Sequence, residues 1–173
     1  MTEIKWEEKI MYKEKYIEAM KNYFGDDTRR INHALKVLNY AERIMEGENI
    51  KGDLKKIITI TAILHDIGII VAEQKYNSSA GKYQEIEGPP IAREIMAKYN
   101  EDKSIIERVC YIIGGHHTAE KNDGLDFQII WEADLLVNIE EEGLDKNKEN
   151  VKKIIEKNFK TNTGRNITVK TYL

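Results

Sequence analysis

The chain has 173 residues, about the length of one average domain, and 41% of them are hydrophobic, so a substantial core can form. Its 27 Lys and Arg against 30 Asp and Glu give a net charge of −3, which argues against binding nucleic acid through a basic surface. A single cysteine, Cys110, excludes an internal disulfide framework and a cysteine-rich zinc module.

Helical periodicity dominates the first half of the chain. Gly25 predicts the end of the first helix, and a second helix, capped by Asp27 or Thr28, should then run from about residue 29 to 46. A third helix, capped by Asp53 and continuing to His65, is apolar nearly all round, so we expect it to be central and buried. The apolar residues that mark the first helix are Ile10, Ile17, Met20 and Phe24.

The periodicity fails between residues 73 and 88, and we interpret residues 77–81, within an irregular stretch over residues 73–87, as a loop. The adjacent Pro89 and Pro90 suit the first turn of the helix that follows. The mixed composition of residues 160–173 predicts either an ordered tail or a short strand. The whole pattern indicates an all-α bundle of about six to seven helices; the later ones are predicted at 103–113, 128–141 and 151–159.

We expect a cytoplasmic protein with no membrane partner. The first eight residues are polar and acidic, and no apolar signal segment follows them. The most apolar window, residues 57–72, is too short to cross a bilayer. No internal repeat or linker divides the chain, so we expect a single domain over residues 1–173.

Histidine and aspartate residues interrupt three strongly apolar helical segments. His33 heads an apolar stripe of the second helix, His65 and Asp66 lie in the most apolar window, and Asp134 interrupts residues 129–137. Each residue alone has an ordinary explanation as a buried polar group bonded to its protein neighbours. Together they place two imidazoles and two carboxylates toward the core, and burying unpaired carboxylates is costly. One divalent ion would offset these costs at once, so we predict a metal site.

These positions resemble the HD-domain metal-dependent phosphohydrolase superfamily over residues 29–141. The resemblance implies an all-helical, HD-domain-like fold in which His33, His65, Asp66 and Asp134 hold one metal ion. The matching stretches are Asn32-His33-Ala34, Leu64-His65-Asp66-Ile67-Gly68 and Glu132-Ala133-Asp134.

A second pair of imidazoles follows in Gly114-Gly115-His116-His117. Adjacent histidines in a loop are often inert, but similar pairs occur in the superfamily branches that bind two or more metals. Those branches also have a histidine before a Gly-Pro helix start, where this chain has Glu87. As a ligand, Glu87 would favour iron, manganese or magnesium, while nickel, cobalt and zinc remain open. The alternative for Glu87 is a carboxylate stabilised by a helix N-terminus.

The resemblance implies hydrolysis of a phosphate ester in a nucleotide or another small phosphorylated metabolite, by metal-activated water. We predict two catalytic residues. Asp66 would bridge the first ion to a second ion held by Glu87 and by His116 or His117. With one ion only, His116 or His117 would contact the phosphate, and a histidine that does not bind metal, such as His117, could protonate the leaving group.

The chain departs from the family pattern at two places. Ile69 occupies the position where many relatives have a lysine that can meet a substrate phosphate, and the Gly-Tyr-Pro motif of the cyclic-dinucleotide branch is absent. Two other function classes stay open. The resemblance also allows a di-iron oxygenase, because some superfamily members use the same scaffold and ligand set in that way, and the departures at Ile69 and Glu87 would suit an inactive metal-binding signalling module. The amphipathic first helix could serve a homodimer. Basic residues that could bind phosphate, or be solvated surface charges, are Arg29, Arg30, Lys75, Lys82 and Arg93.

Overall fold

The computed structural model describes residues 3–173, with the side chains of residues 12–173, and this part of the chain forms nine α-helices and no strand. The all-α class is confirmed, and the predicted number of six to seven helices is too low. The helices are α1 (Glu3–Phe24), α2 (Thr28–Gly47), α3 (Gly52–Leu64), α4 (Ile69–Tyr76), α5 (Gly81–Lys98), α6 (Lys103–Ile113), α7 (Leu125–Glu141), α8 (Lys148–Asn158) and α9 (Asn162–Tyr172). Short 3₁₀ turns at Ala119–Lys121 and Leu144–Lys146 flank α7.

Helices α2, α3 and α7 form the centre of the bundle. They pack against one another, while α1 and α6 cover other sides of α3, and α5 packs on α6. Every residue of α3 from Ile57 to Leu64 is buried, as its apolar sequence predicts. Because α2, α3 and α7 are the helices with predicted ligands, their packing places those side chains close together.

Two of the predicted helix starts have different outcomes. The Asp27 side chain accepts a hydrogen bond from the Arg30 backbone N–H at 3.1 Å, so Asp27 caps α2 as predicted. Helix α3 begins at Gly52, and Asp53 lies in its first turn without acting as the cap. The predicted place of Ile10 on the first helix face lies outside the described side chains.

The predicted loop at residues 77–81 is found, since residues 77–80 connect α4 to α5, but the wider irregular stretch over residues 73–87 is otherwise helical. The buried positions early in α5 are polar or small, among them Gln84 and Gly88, so no apolar stripe reveals the helix. Pro89 and Pro90 lie inside α5 and not in its first turn. Without their N–H groups, two carbonyls one turn earlier lose the usual helical partner.

Residues 162–172 form helix α9, so neither the predicted tail nor the predicted strand is correct. The Thr161 hydroxyl accepts a hydrogen bond from the Gly164 N–H and so caps the helix. The buried carboxylate of Glu132 on α7 accepts from the backbone N–H groups of Lys160 and Thr161. Because this contact comes from a distant helix, no local pattern could show it.

Across the described residues, no helix combines the length and the apolarity that crossing a membrane requires.

Candidate metal centre

The rings of His65 and His116 each follow the end of a helix and are oriented by the same kind of hydrogen bond. His65 follows α3 and its Nδ1 donates to the Ala62 carbonyl at 2.9 Å; His116 follows α6 and its Nδ1 donates to the Ile113 carbonyl at 2.7 Å. The last carbonyls of a helix lack an intrahelical partner, which makes them available to these rings. Since a carbonyl can only accept, Nδ1 must bear the proton. The neutral form of each ring therefore presents the lone pair of Nε2 to the interior.

His33 and Asp134 are held by residues of α7. His33 on α2 donates from Nδ1 to Glu141 Oε2 at 3.0 Å, and its Nε2 points inward. Asp134 on α7 accepts at Oδ1 from the Asn138 amide, one turn later, at 3.0 Å. Such partners fix ring orientation and tautomer in metal sites.

Four of the predicted residues converge on one point. His33 Nε2 lies 3.3 Å from His65 Nε2 and 3.2 Å from Asp134 Oδ1. Asp66 Oδ2 lies 3.5 Å from His33 Nε2 and 3.4 Å from His65 Nε2. His65 Nε2 and Asp134 Oδ1 are 3.7 Å apart. Two atoms each about 2.1 Å from one ion would be separated by about 3.0 to 3.8 Å at angles of about 90° to 130°, so these spacings fit a single divalent ion.

The donor chemistry also fits an ion. With Nδ1 of His33 and His65 both committed as donors, the neutral rings would direct two Nε2 lone pairs at each other across 3.3 Å. Two carboxylate oxygens lie at the same point. Such a group of acceptors is stable only when a cation, either a proton or a metal ion, lies among them.

A second cluster shares Asp66 with the first. Asp66 Oδ1 lies 3.2 Å from His116 Nε2, and single ligand atoms of Asp66, His116 and His117 all lie within 4.8 Å of one another. The same limit holds for His33, His65 and Asp66. Asp66 therefore directs one oxygen at each cluster, which is the arrangement of a carboxylate that bridges two ions.

Glu87 does not join either cluster. Its carboxylate accepts hydrogen bonds from Lys75 Nζ at 2.8 Å and from the Tyr76 hydroxyl at 2.9 Å. Both donors lie at the end of α4, and they tie α4 to the neighbouring α5. The structure thus gives Glu87 a contact between two helices and not a place among the candidate ligands.

His33, Asp66, Asp134 and His117 of these clusters line a polar cavity of about 380 Å³ between α2, α4, α5 and α7. Arg29 and Arg30 lie along its wall, and Arg30 is paired with Asp27 and Glu73, whereas Arg29 makes no ion pair with any described side chain. The other basic candidates are engaged elsewhere: Lys75 with Glu87, Arg93 with Glu107, and Lys82 over the Tyr83 ring.

The pKa values of the clustered side chains reflect how closely the carboxylates and imidazole rings lie together. Burial acts to lower the pKa of His33, but its hydrogen bonds to Asp134 and Glu141 and the charge of Asp66 outweigh burial and raise the pKa to about 9. Burial lowers the pKa of His65. Burial acts to raise the pKa of Asp66, yet His65 and His116 hold that pKa well below its usual range. Desolvation and the neighbouring His116 lower the pKa of His117 to about 4, so its ring is uncharged at neutral pH.

Sequence reasoning missed two residues of the site. Glu141 orients the His33 ring. In the sequence, however, it lies in a run of three glutamates at the end of α7, and such a run is typical of a solvent-exposed surface. Gln84 lines the cavity from α5, within a segment where the periodicity fails. No sequence signal distinguishes Gln84 from other polar residues there.

Comparison with known proteins agrees with this architecture. The crystal structure of a predicted HD superfamily hydrolase from an uncultured Thermotogales bacterium superposes with a TM-score of 0.66 at 22% identity, covering 91% of this chain and 83% of that one. No curated protein sequence matches significantly. The profile of the HD-domain family, whose members are typically metal-dependent hydrolases, matches residues 30–156. The chain therefore belongs to the HD-domain family.

Proposed function

We propose that the protein is a metal-dependent phosphohydrolase that acts on a nucleotide or another small phosphate ester. The observation that supports this most is the position of Asp66, whose Oδ2 lies 3.4 to 3.5 Å from the Nε2 atoms of His65 and His33 while its Oδ1 lies 3.2 Å from His116 Nε2. A carboxylate shared by two imidazole clusters at the wall of a polar cavity is suited to a centre of two metal ions.

His33, His65, Asp66 and Asp134 would hold the first ion, and Asp66, His116 and His117 the second. A divalent ion in such a place lowers the pKa of water toward neutrality and neutralises negative charge on phosphate oxygens. The protein's own contribution is to hold the ligand atoms in position. Carbonyl and carboxylate partners fix the rings of His33, His65 and His116, so that their Nε2 atoms face the ions without reorganisation.

Arg29 would bind the phosphate of the substrate. Arg29 is one of the residues at the cavity wall and has no ion pair among the described residues, while the adjacent Arg30 is neutralised by Asp27 and Glu73. An unpaired guanidinium recognises phosphate oxygens with charge-assisted hydrogen bonds. This contact would supply the positive charge that many relatives obtain from a lysine at the position of Ile69.

The ligand set bears on the choice of metal. Because Glu87 lies outside both clusters, the donors are three or four imidazoles and two carboxylates. Imidazole and carboxylate together suit manganese, iron, cobalt, nickel and zinc, whereas magnesium prefers oxygen donors alone. Magnesium is therefore the least suited of the three predicted ions, and the ligand set is compatible with manganese, iron, cobalt, nickel and zinc.

Release of inorganic phosphate tests the proposal. The protein, stripped of metal and reloaded with Mn²⁺, Fe²⁺, Mg²⁺, Co²⁺, Ni²⁺ or Zn²⁺, would be assayed on a panel of nucleoside monophosphates, sugar phosphates and p-nitrophenyl phosphate. We expect metal-dependent turnover of at least one ester, and a loss of about 10³-fold or more in the Asp66→Ala variant. If no ester is hydrolysed with any ion, the proposal is wrong. A coloured iron protein that consumes oxygen and releases no phosphate would instead identify the oxygenase alternative.

A further inference from the structure

The side-chain oxygen of Gln84 is a buried hydrogen-bond acceptor without a partner. The residue is 6% exposed, and Oε1 is the one buried side-chain nitrogen or oxygen atom among residues 12–173 that makes no hydrogen bond. Buried acceptors are nearly always satisfied in folded proteins, since leaving one unpaired costs free energy. At the edge of a candidate active site, the partner of such an atom is a water molecule or a bound ligand that displaces it.

The orientation of this amide is fixed by the chain. Gln84 Nε2 donates to the Ser79 carbonyl at 2.7 Å, and a carbonyl cannot donate in return, so the amide cannot exchange its nitrogen and oxygen. The backbone at Gln84 is also confined, because a Cβ atom on Gly68 would come within 2.7 Å of the Gln84 carbonyl oxygen. Helix α5 is thus pressed against the chain just after Asp66.

Gln84 and the proposed catalytic centre share one space. The side chains of Asp66, Gln84 and His117 line the same cavity, together with Ser79. The ring of His117 lies against Gly81, one turn before Gln84 on α5. A molecule bound beside Asp66 and His117 would therefore lie in a cavity that Gln84 lines, next to the side chain that carries the unpaired oxygen.

The chemistry of the missing partner follows from the neighbours of Gln84. An amide oxygen needs an O–H or N–H donor, and a cationic donor would prefer the carboxylates of Glu73 and Glu141 in the same cavity. The partner should therefore be neutral. In a phosphate ester the ionised phosphate oxygens offer no proton, so the neutral donors next to the ester are the hydroxyls of its sugar.

We infer that Gln84 is a specificity-determining residue that accepts a hydrogen bond from a sugar hydroxyl of the substrate. The inference rests on the proposed function, because it assumes that a phosphate ester binds in this cavity. A site built around such a hydrogen bond rejects an analogue that lacks the hydroxyl, since the acceptor is then left unpaired.

The test is discrimination between matched substrates. Wild type and Gln84→Leu would be assayed with adenosine 5′-monophosphate and its 2′-deoxy and 3′-deoxy analogues, and with ribose 5-phosphate and 2-deoxyribose 5-phosphate. In wild type we expect kcat/KM to fall about tenfold or more for at least one analogue. In Gln84→Leu the ratio between that parent and analogue should fall to within about twofold. Gln74→Leu, an exposed glutamine on α4, is the matched control and should keep the wild-type ratio.

Thermal stability separates this role from a structural one. Leucine removes the unpaired oxygen, and water can replace the lost bond at the exposed Ser79, so the Tm of ligand-free Gln84→Leu should not lie below that of wild type. Gln84→Met repeats the test with an unbranched side chain. A lower Tm in both variants, or failure of both to fold, would assign Gln84 to the structure and overturn the inference.

The kinetic outcomes are distinguishable as well. Equal turnover of parents and analogues by wild type, or discrimination that persists in Gln84→Leu, would overturn the role of Gln84 and leave the proposed function standing. Turnover of only those esters that lack a sugar would also overturn the role of Gln84 and leave the proposed function standing. Absence of turnover on every ester would overturn both.

Discussion

Glu132 and Asp134 lie two residues apart on α7, and their carboxylates have different partners. Asp134 Oδ1 lies 3.2 Å from His33 Nε2 at the candidate metal centre. Glu132 is fully buried and accepts from Gln128 Nε2, the N–H groups of Lys160 and Thr161, and the Thr161 hydroxyl. One helix thus holds a candidate ligand and a structural anchor for the C-terminal segment.

We expect Glu132→Ala and Asp134→Asn to separate stability from metal binding. Removing the Glu132 carboxylate leaves four donors without their acceptor, so the free energy of unfolding should fall by about 3 kcal/mol while metal is still bound. Asp134→Asn should lose most of the bound metal and change the stability of the metal-free protein by less than about 1 kcal/mol. Urea unfolding of the metal-free proteins, with metal analysis of the loaded ones, measures both. Full metal content in Asp134→Asn would contradict the assignment.

Metal affinity should rise with pH. The raised pKa of His33, about 9, means that the metal-free ring holds a proton at neutral pH, and this proton must leave before Nε2 can bind an ion. Below pH 9 the apparent affinity should therefore fall about tenfold for each unit of pH. Competition with a chromophoric chelator between pH 6.5 and 8.5 measures the slope. Affinity that does not change over this range would show that no proton competes for the site.

Gly81→Ala should impair the second cluster and spare the first. A Cβ atom at this position would lie 2.7 Å from His117 Cβ and 2.6 Å from Cγ, and rotation of the ring cannot move the root of the side chain. The loop that holds His117 must shift, so kcat/KM should fall about tenfold to a hundredfold. The Tm should change little, because the clash is with an exposed side chain whose loop can shift and Gly81 is only the first residue of its helix. Lys82→Ala, at the next and exposed position, serves as the control; activity in Gly81→Ala equal to that of Lys82→Ala would argue against a role for His117.

Arg29→Ala should weaken substrate binding more than turnover. Loss of one charge-assisted contact to phosphate should raise KM about fivefold to tenfold and leave kcat within about twofold. The effect should shrink at high ionic strength, because salt screens an exposed guanidinium. The comparison is Arg43→Ala, an exposed arginine on the same helix that stacks on Tyr40. An unchanged KM in Arg29→Ala would remove the arginine from the proposed binding site.

The convergence of His33, His65, Asp66 and Asp134 could be predicted because each polar side chain interrupts an apolar helix. The helical class and the buried position of α3 follow from the same periodicity. These features are local in sequence, and burial of a charged group restricts the explanations to a few.

Other features depend on contacts between distant segments. Glu87 is a carboxylate before a Gly-Pro pair, yet Lys75 and Tyr76 at the end of α4 engage both of its oxygens. Helix α9 depends on Glu132, 29 residues before Thr161. Gln84 lies within the irregular stretch predicted from the sequence. There the start of α5 packs on Gly68 and His117 through small and polar residues, so the helix shows no apolar stripe.

The metal content of the protein, purified without chelator, tests the central claim most directly. We expect about one to two divalent ions per chain in the wild type and less than about 0.2 in His65→Ala, because His65 is fully buried and has no role outside the first cluster except its bond to Ala62. The number would also separate one ion from two, and the element would separate iron from the other metals. A wild-type protein without divalent metal, even after incubation with each ion, would contradict the account, and so would a His65→Ala variant with unchanged content.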